Sequence, residues 1–285
     1  MPLPHLLANL ILCLGALAGG AVLWRRGKKA ATAGLIAAAV LGALAWVVWW
    51  RPDLFVRAVP VSGAIFYSNL FLYAAALGGP CALAFAKSRG HAVRIGVLAG
   101  VMVLLPWWEV RWFWQPPARS ATTLVDADGI VRQTSTDTCS AAAGATLLGL
   151  HGVEATEADV AALALTKERR GTRSLGLYRG LKIAVDGDPL RVRYRRISGG
   201  DLLGQGLPAI TAVGLPKRGL TAEQRAFADT YSWEPGVWHD VLVKGPDPER
   251  AGRVLVADPD FGLESWPREH FDALYQGFAI WLEPK

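Results

Sequence analysis

Gln133-Thr134-Ser135-Thr136-Asp137-Thr138-Cys139-Ser140-Ala141-Ala142-Ala143 is the stretch on which the fold turns. It sets a thiol six residues after a glutamine and at the head of a small-residue run, Ser140 to Leu150, that reads as a helix. A helix N-terminus offers the positive end of the macrodipole and backbone N–H groups without helical partners. Both favour a thiolate and bind a developing oxyanion. Cys139 is therefore a candidate nucleophile and Gln133 a candidate oxyanion donor. Taken alone, a single cysteine is more often a buried packing residue, so the rest of the chain has to decide.

Upstream, the chain changes character near Gln115 to Ala118. Residues up to Pro116 hold ten Lys or Arg against two acidic residues, Asp53 and Glu109; the remainder holds twenty against twenty-two. The formal charge of +6 therefore resides in the first part. The near-neutral second part has no basic tract, which argues against a nucleic-acid partner. Residues 1–116 read as a transmembrane region of four helices, at about 6–24, 30–50, 61–86 and 92–108, each apolar enough for a hydrocarbon core about 30 Å thick. Gly78-Gly79-Pro80 is expected to kink the third. Arg25, Arg26, Lys28 and Lys29 follow the first run rather than precede it, the reverse of a signal peptide. With Lys87, Arg89 and Arg94 they mark the cytoplasmic side by the positive-inside rule, against a weaker opposing set of Arg51, Arg57 and Arg111. The expectation is an integral protein of a bacterial-type inner or plasma membrane, with its soluble domain extracytoplasmic. Trp46, Trp49, Trp50, Trp107, Trp108, Trp112 and Trp114 cluster at the outer ends, as an interfacial belt does. Asn69 and Glu109 are too few polar groups to argue transport. Cys13 and Cys81 lie within spans, where small apolar packing explains them.

Residues 117–285 suffice for one well-formed core. Leu124 to Val131, with Asp128-Gly129, reads as a hairpin or strand end. Helices follow: Cys139 to Leu150, Glu157 to Leu165 with Thr156 as N-cap, and Leu175 to Ile183 with Ser174 as N-cap. The period then becomes two, as Leu190, Val192 and Tyr194 alternate with Arg191, Arg193 and Arg195. Further strands are expected at Leu207 to Val213, Val237 to Val243, Val254 to Ala257 and Phe278 to Leu282, with a short helix, Arg268 to Tyr275, before the last. Helices first and an antiparallel sheet second is an α+β order. The polar insertion Pro216 to Gly236, with a helix candidate at Thr221 to Asp229, is long for a connection; a lid and an exposed decoration both fit it.

A thiol nucleophile needs a base, and the base needs an orienting acceptor. Of the histidines in this part, His151 sits in a helix C-cap loop and His270 in a surface helix beside Asp272. His239 stands near the start of an apolar strand, where a polar ring requires a partner. A second strand ends at Asp258-Pro259, and if the two strands pair, Asp258 reaches the far ring nitrogen of His239.

Together, Gln133, Cys139, His239 and Asp258 resemble the C39-type peptidases of the papain-like superfamily. The stretch quoted first is similar to that family's glutamine, cysteine and small-residue helix. Trp238-His239-Asp240-Val241-Leu242-Val243 and Val256-Ala257-Asp258-Pro259-Asp260-Phe261-Gly262 resemble its histidine strand and aspartate-proline turn. The likeness runs over roughly residues 129–282 and none of the membrane part. It implies a papain-like domain at 117–285, N-terminal helices packed on an antiparallel sheet, and cysteine-peptidase chemistry on a peptide or protein substrate. Cys139 would attack, His239 would act as base and then acid, Asp258 would orient it, and Gln133 would join the Cys139 N–H in the oxyanion hole. No cofactor and no metal is implied. The chain departs from the family where Ser140 stands for its usual glycine, Ala141 for a common proline and Trp238 for a glycine before the histidine. It has no ATPase segment, and an outward domain sits poorly with the family's cytoplasmic leader processing. Two alternatives stay open: a catalytically inactive peptide-binding or scaffold module of the same fold, and a thiol acyltransferase.

Overall fold

Long uncharged runs fold first into helices, because only a helix pairs every backbone group within one apolar segment. In a computed structural model of the chain, residues 3–110, 115–119, 123–231 and 233–285 are described, the side chains of 3–6 and 102–110 excepted. They form two compact units, Met1–Gln115 and Pro116–Lys285.

The first unit contains α1 (Leu3–Arg25), α2 (Lys28–Trp50), α3 (Pro52–Ala58), α4 (Ala64–Tyr67), α5 (Leu70–Leu83) and α6 (Arg89–Val110). Three segments, not the expected four, are long and apolar enough to cross a membrane among the described residues: Leu7–Arg25, Lys28–Trp50 and Ala64–Leu83. The fourth expected span falls within α6, whose residues 102–110 have side chains outside the described set. The third is interrupted at Ser68-Asn69, between α4 and α5, and not at Gly78-Gly79-Pro80, through which α5 continues. Those glycines serve close packing instead: a Cβ on Gly78 would lie 3.0 Å from the Ala38 Cβ, and one on Gly79 2.8 Å from that of Ala99. Cys81 is fully buried and Cys13 nearly so, as packing residues should be. Arg51 forks onto the buried Asp53 carboxylate, at 2.9 and 3.1 Å. Trp46, Trp49 and Trp50 are exposed, as a belt requires. Trp107, Trp108 and Glu109 by their side chains, and Arg111, Trp112 and Trp114 altogether, lie outside the described residues.

The second unit begins with a small hairpin, β1 (Leu124–Val125) and β2 (Val131–Arg132), whose turn is closed by Asp126 accepting from the Asp128 and Ile130 N–H groups, each at 3.0 Å. Three helices follow, α7 (Cys139–Leu150), α8 (Glu157–Ala164) and α9 (Ser174–Ala184). Thr156 caps α8 in a reciprocal box with Asp159, whereas the cap of α9 is Arg173, with Ser174 already helical. Every residue of α7 from Ser140 to Leu148 is buried. Small side chains allow this, since a Cβ on Gly144 would lie 2.9 Å from Val160 and one on Gly180 3.0 Å from the Ala164 backbone nitrogen.

The chain continues through β3 (Leu190–Arg196), α10 (Gly199–Gly204), β4 (Ala209–Gly214), α11 (Ala222–Tyr231), β5 (Trp238–Pro246), β6 (Arg253–Asp258), β7 (Gly262–Pro267), α12 (Arg268–Leu274) and β8 (Phe278–Pro284). The strands β3 to β8 make a six-stranded antiparallel sheet in the order β3-β8-β4-β5-β6-β7. The final strand thus sits inside the sheet, between β3 and β4. On one face Val213, Val241, Val243, Val254, Val256 and Trp281 pack against Leu202 and Leu203 of α10 and Phe271 and Leu274 of α12. Burial of each such side chain contributes about 1.5–3 kcal/mol. The insertion is neither loose decoration nor free lid: Ala228 is buried, and Phe227 and Trp233 pack on this same core. His270, expected beside Asp272, instead meets the Tyr231 hydroxyl at 3.2 Å and the Phe227 ring edge, fastening α11 to α12, while Asp272 pairs with Arg268.

Candidate active site

Four segments converge at the head of α7. The loop before it is held by its own side chains: Thr138, fully buried, donates to the Ser135 carbonyl at 2.8 Å and accepts from the Ser135 N–H at 3.2 Å. Because Thr138 is engaged there, no side chain caps α7. Cys139, half-buried, thus opens a helix whose first-turn N–H groups face no capping side chain. Thr134 is clamped by the fully buried Glu157 of α8, which accepts from its N–H at 2.9 Å and from its hydroxyl at 2.7 Å.

His239 stands on β5, opposite Val213 of β4. Antiparallel pairing of β5 with β6 brings the end of β6 beside it, and His239 Nε2 meets Asp258 Oδ1 at 2.9 Å. Asp258 is 2% exposed, and its Oδ1 also accepts from the N–H groups of Asp260 at 2.7 Å and Phe261 at 3.3 Å. A carboxylate held by its own turn is a fixed acceptor, which sets the imidazole's orientation. Cys139, at the head of α7, is the second side chain that acts on the His239 imidazole. Burial opposes a charge on His239, yet hydrogen bonds to Asp258 and Cys139, aided by their negative charge, outweigh it and push the imidazole up to about 10.

Gln133 joins the same cluster through its backbone, its N–H donating to the Pro259 carbonyl at 2.9 Å. The preceding Arg132 donates to the same carbonyl at 3.2 Å and also to the Asp260 carbonyl. The Gln133 Oε1 is buried and takes no hydrogen bond among the described residues. Trp238 is half-exposed, with its ring turned onto β4, where a Cβ on Gly214 would come within 2.7 Å of it.

All four residues singled out from the sequence therefore lie in one neighbourhood. Two others were passed over. Ser140, read as a departure from the family pattern, donates a hydrogen bond to Asp240 Oδ2 across from β5. Burial pushes the Asp240 carboxyl up, against the Ser140 hydrogen bond and the neighbouring His239 charge, which pull it down. A carboxylate inside an apolar strand next to a histidine was the available signal. His151 caps the other end of α7, as expected, and takes no part.

No protein-family model matches the chain, and no curated protein does. Solved structures of partial likeness are peptidase domains of transporters. The peptidase domain of Streptococcus ComA, a bi-functional ABC transporter involved in a quorum sensing pathway, is 22% identical over 58% of this chain and 100% of its own, with a TM-score of 0.41. A double glycine motif protease from an AMS/PCAT transporter, in complex with its leader peptide, is 20% identical over 60% of this chain and 99% of its own, at 0.42. The peptidase domain of Streptococcus mutans ComA is 21% identical over 54% and 98%, at 0.36. Scores of this size leave the chemistry to be argued from the chain's own residues.

Proposed function

We propose that the chain is a membrane-anchored cysteine peptidase acting through Cys139, His239 and Asp258. The observation that carries this reading is that Asp258 holds His239 Nε2 at 2.9 Å while the Cys139 side chain acts on the same imidazole. His239, oriented by Asp258, takes the Cys139 proton as the sulfur attacks. The Cys139 sulfur forms its bond to the scissile carbonyl carbon, and the carbonyl π electrons move onto oxygen. The Cys139 N–H and the Gln133 side-chain amide stabilise that oxyanion. As the C–N bond breaks, His239 gives its proton to the leaving amine, and a thioester remains. Neutral His239 then takes a proton from water, hydroxide adds to the thioester, and the C–S bond breaks to release the acid, with His239 returning its proton to the departing Cys139 sulfur. Asp258 stays ionised throughout and keeps Nε2 fixed.

The substrate is a peptide or protein. The domain occupies the outer side of the membrane, a placement supported by the cations at Lys28-Lys29 and at Lys87 to Arg94. The test uses detergent-solubilised full chain and an electrophilic thiol probe. Wild type is expected to label and to release peptide fragments, Cys139→Ser to do neither, and His239→Ala to lose roughly 10²–10⁴-fold in rate. Equal labelling of wild type and Cys139→Ser would remove the reading.

A further inference from the structure

We propose that Asp240 is a positioning residue of this active site, acting through Ser140 to tie the head of α7, which carries Cys139, to the strand that carries His239. The inference rests on the peptidase reading above and deepens it.

Asp240, near the start of β5, meets the head of α7, where Ser140 Oγ donates to its Oδ2. Ser140 is 3% exposed, in a helix face otherwise made of alanine, glycine, threonine and leucine, so its hydroxyl needs an internal partner. The strand neighbour of Asp240 on β4 is Ala212, which offers none. Each group thus answers a need of the other. The consequence is geometric: Cys139 and Ser140 are adjacent on α7, as are His239 and Asp240 on β5, so one hydrogen bond sits one residue beyond the reacting pair on both elements. Small residues leave α7 without interlocking side chains of any length at this end. A polar tie here therefore sets its height against β5 more sharply than packing does.

The experiment measures the rate of Cys139 alkylation by iodoacetamide, together with thermal stability, on detergent-solubilised full chain. Variants are Ser140→Ala, Asp240→Ala, the double Ser140→Ala/Asp240→Ala, and Asp240→Asn. Either single alanine leaves an unpaired buried polar group, while the double leaves none, so stability is expected to recover in the double. Alkylation is expected to stay about fivefold slow in all three, the worth of one net hydrogen bond. Asp240→Asn keeps an acceptor oxygen for Ser140 and is expected to restore the wild-type rate. Reactivity that recovers along with stability, or remains unchanged throughout, overturns the tie, as does an Asn variant as slow as the Ala variant. A wild-type chain alkylated no faster than free cysteine would sink the peptidase reading itself, which separates the two failures.

Discussion

His239 gains charge on folding, and the sign of the resulting pH dependence is fixed by the direction of its shift. Its imidazole rises from 6.5 to about 10, so the stability it contributes is complete below pH 6.5 and is lost as pH rises through about 10. Asp258→Asn removes the carboxylate that accepts its proton, and a charged hydrogen bond of this kind contributes about 2 kcal/mol. The expected result is a melting-temperature gap between wild type and Asp258→Asn that is wider at pH 6.5 than at pH 8.5 and narrows further toward pH 10.5. A gap that stays constant over that range would mean His239 is not charged in the folded protein. At this scale the sequence was readable where chemistry and spacing coincide. Cys139 announced itself by its place before a small-residue run, and His239 by its polarity in an apolar strand. Ser140 and Asp240 could not be joined by reading, because a hundred positions separate them and only the register of β5 brings them together.

Helices α7, α8 and α9 were legible as elements because capping residues and small-residue runs are local signals. What they were for was not. Gly144 and Gly180 permit helix axes to approach, a fact that depends on Val160 and Ala164 across the interface. Gly180→Val therefore places a branched side chain against the Ala164 backbone and is expected to cost about 1–3 kcal/mol, read as a lowered melting temperature. An unchanged value would show that α8 moves aside at no cost. The same logic applies to Gly78 and Gly79, which lie at close helix contacts. A glycine pair looks identical in sequence whether it serves bending or packing. Strand β7 was not foreseen: only its first residue, Gly262, belongs to the turn read after Asp258, and the rest goes on to pair with β6.

The composition break near Gln115 marks the division of the chain into its two units. The number of crossings was less readable, because length and hydropathy alone do not separate an interrupted helix from a continuous one. A membrane-impermeant maleimide applied to intact spheroplasts is expected to label Cys139, while the buried Cys13 and Cys81 stay protected. Labelling of Cys139 only after permeabilisation would put the domain in the cytoplasm. The position of β8 bears on a different matter, the order in which this molecule is made. Cys139, His239 and Asp258 all leave the ribosome before residues 278–284, yet β3 and β4 have no contact in the sheet until β8 inserts between them. Such non-local pairing closes late and slowly. A nascent chain therefore carries Cys139, His239 and Asp258 while the sheet that holds the last two is still in two pieces, and that sheet is whole only once β8 has inserted.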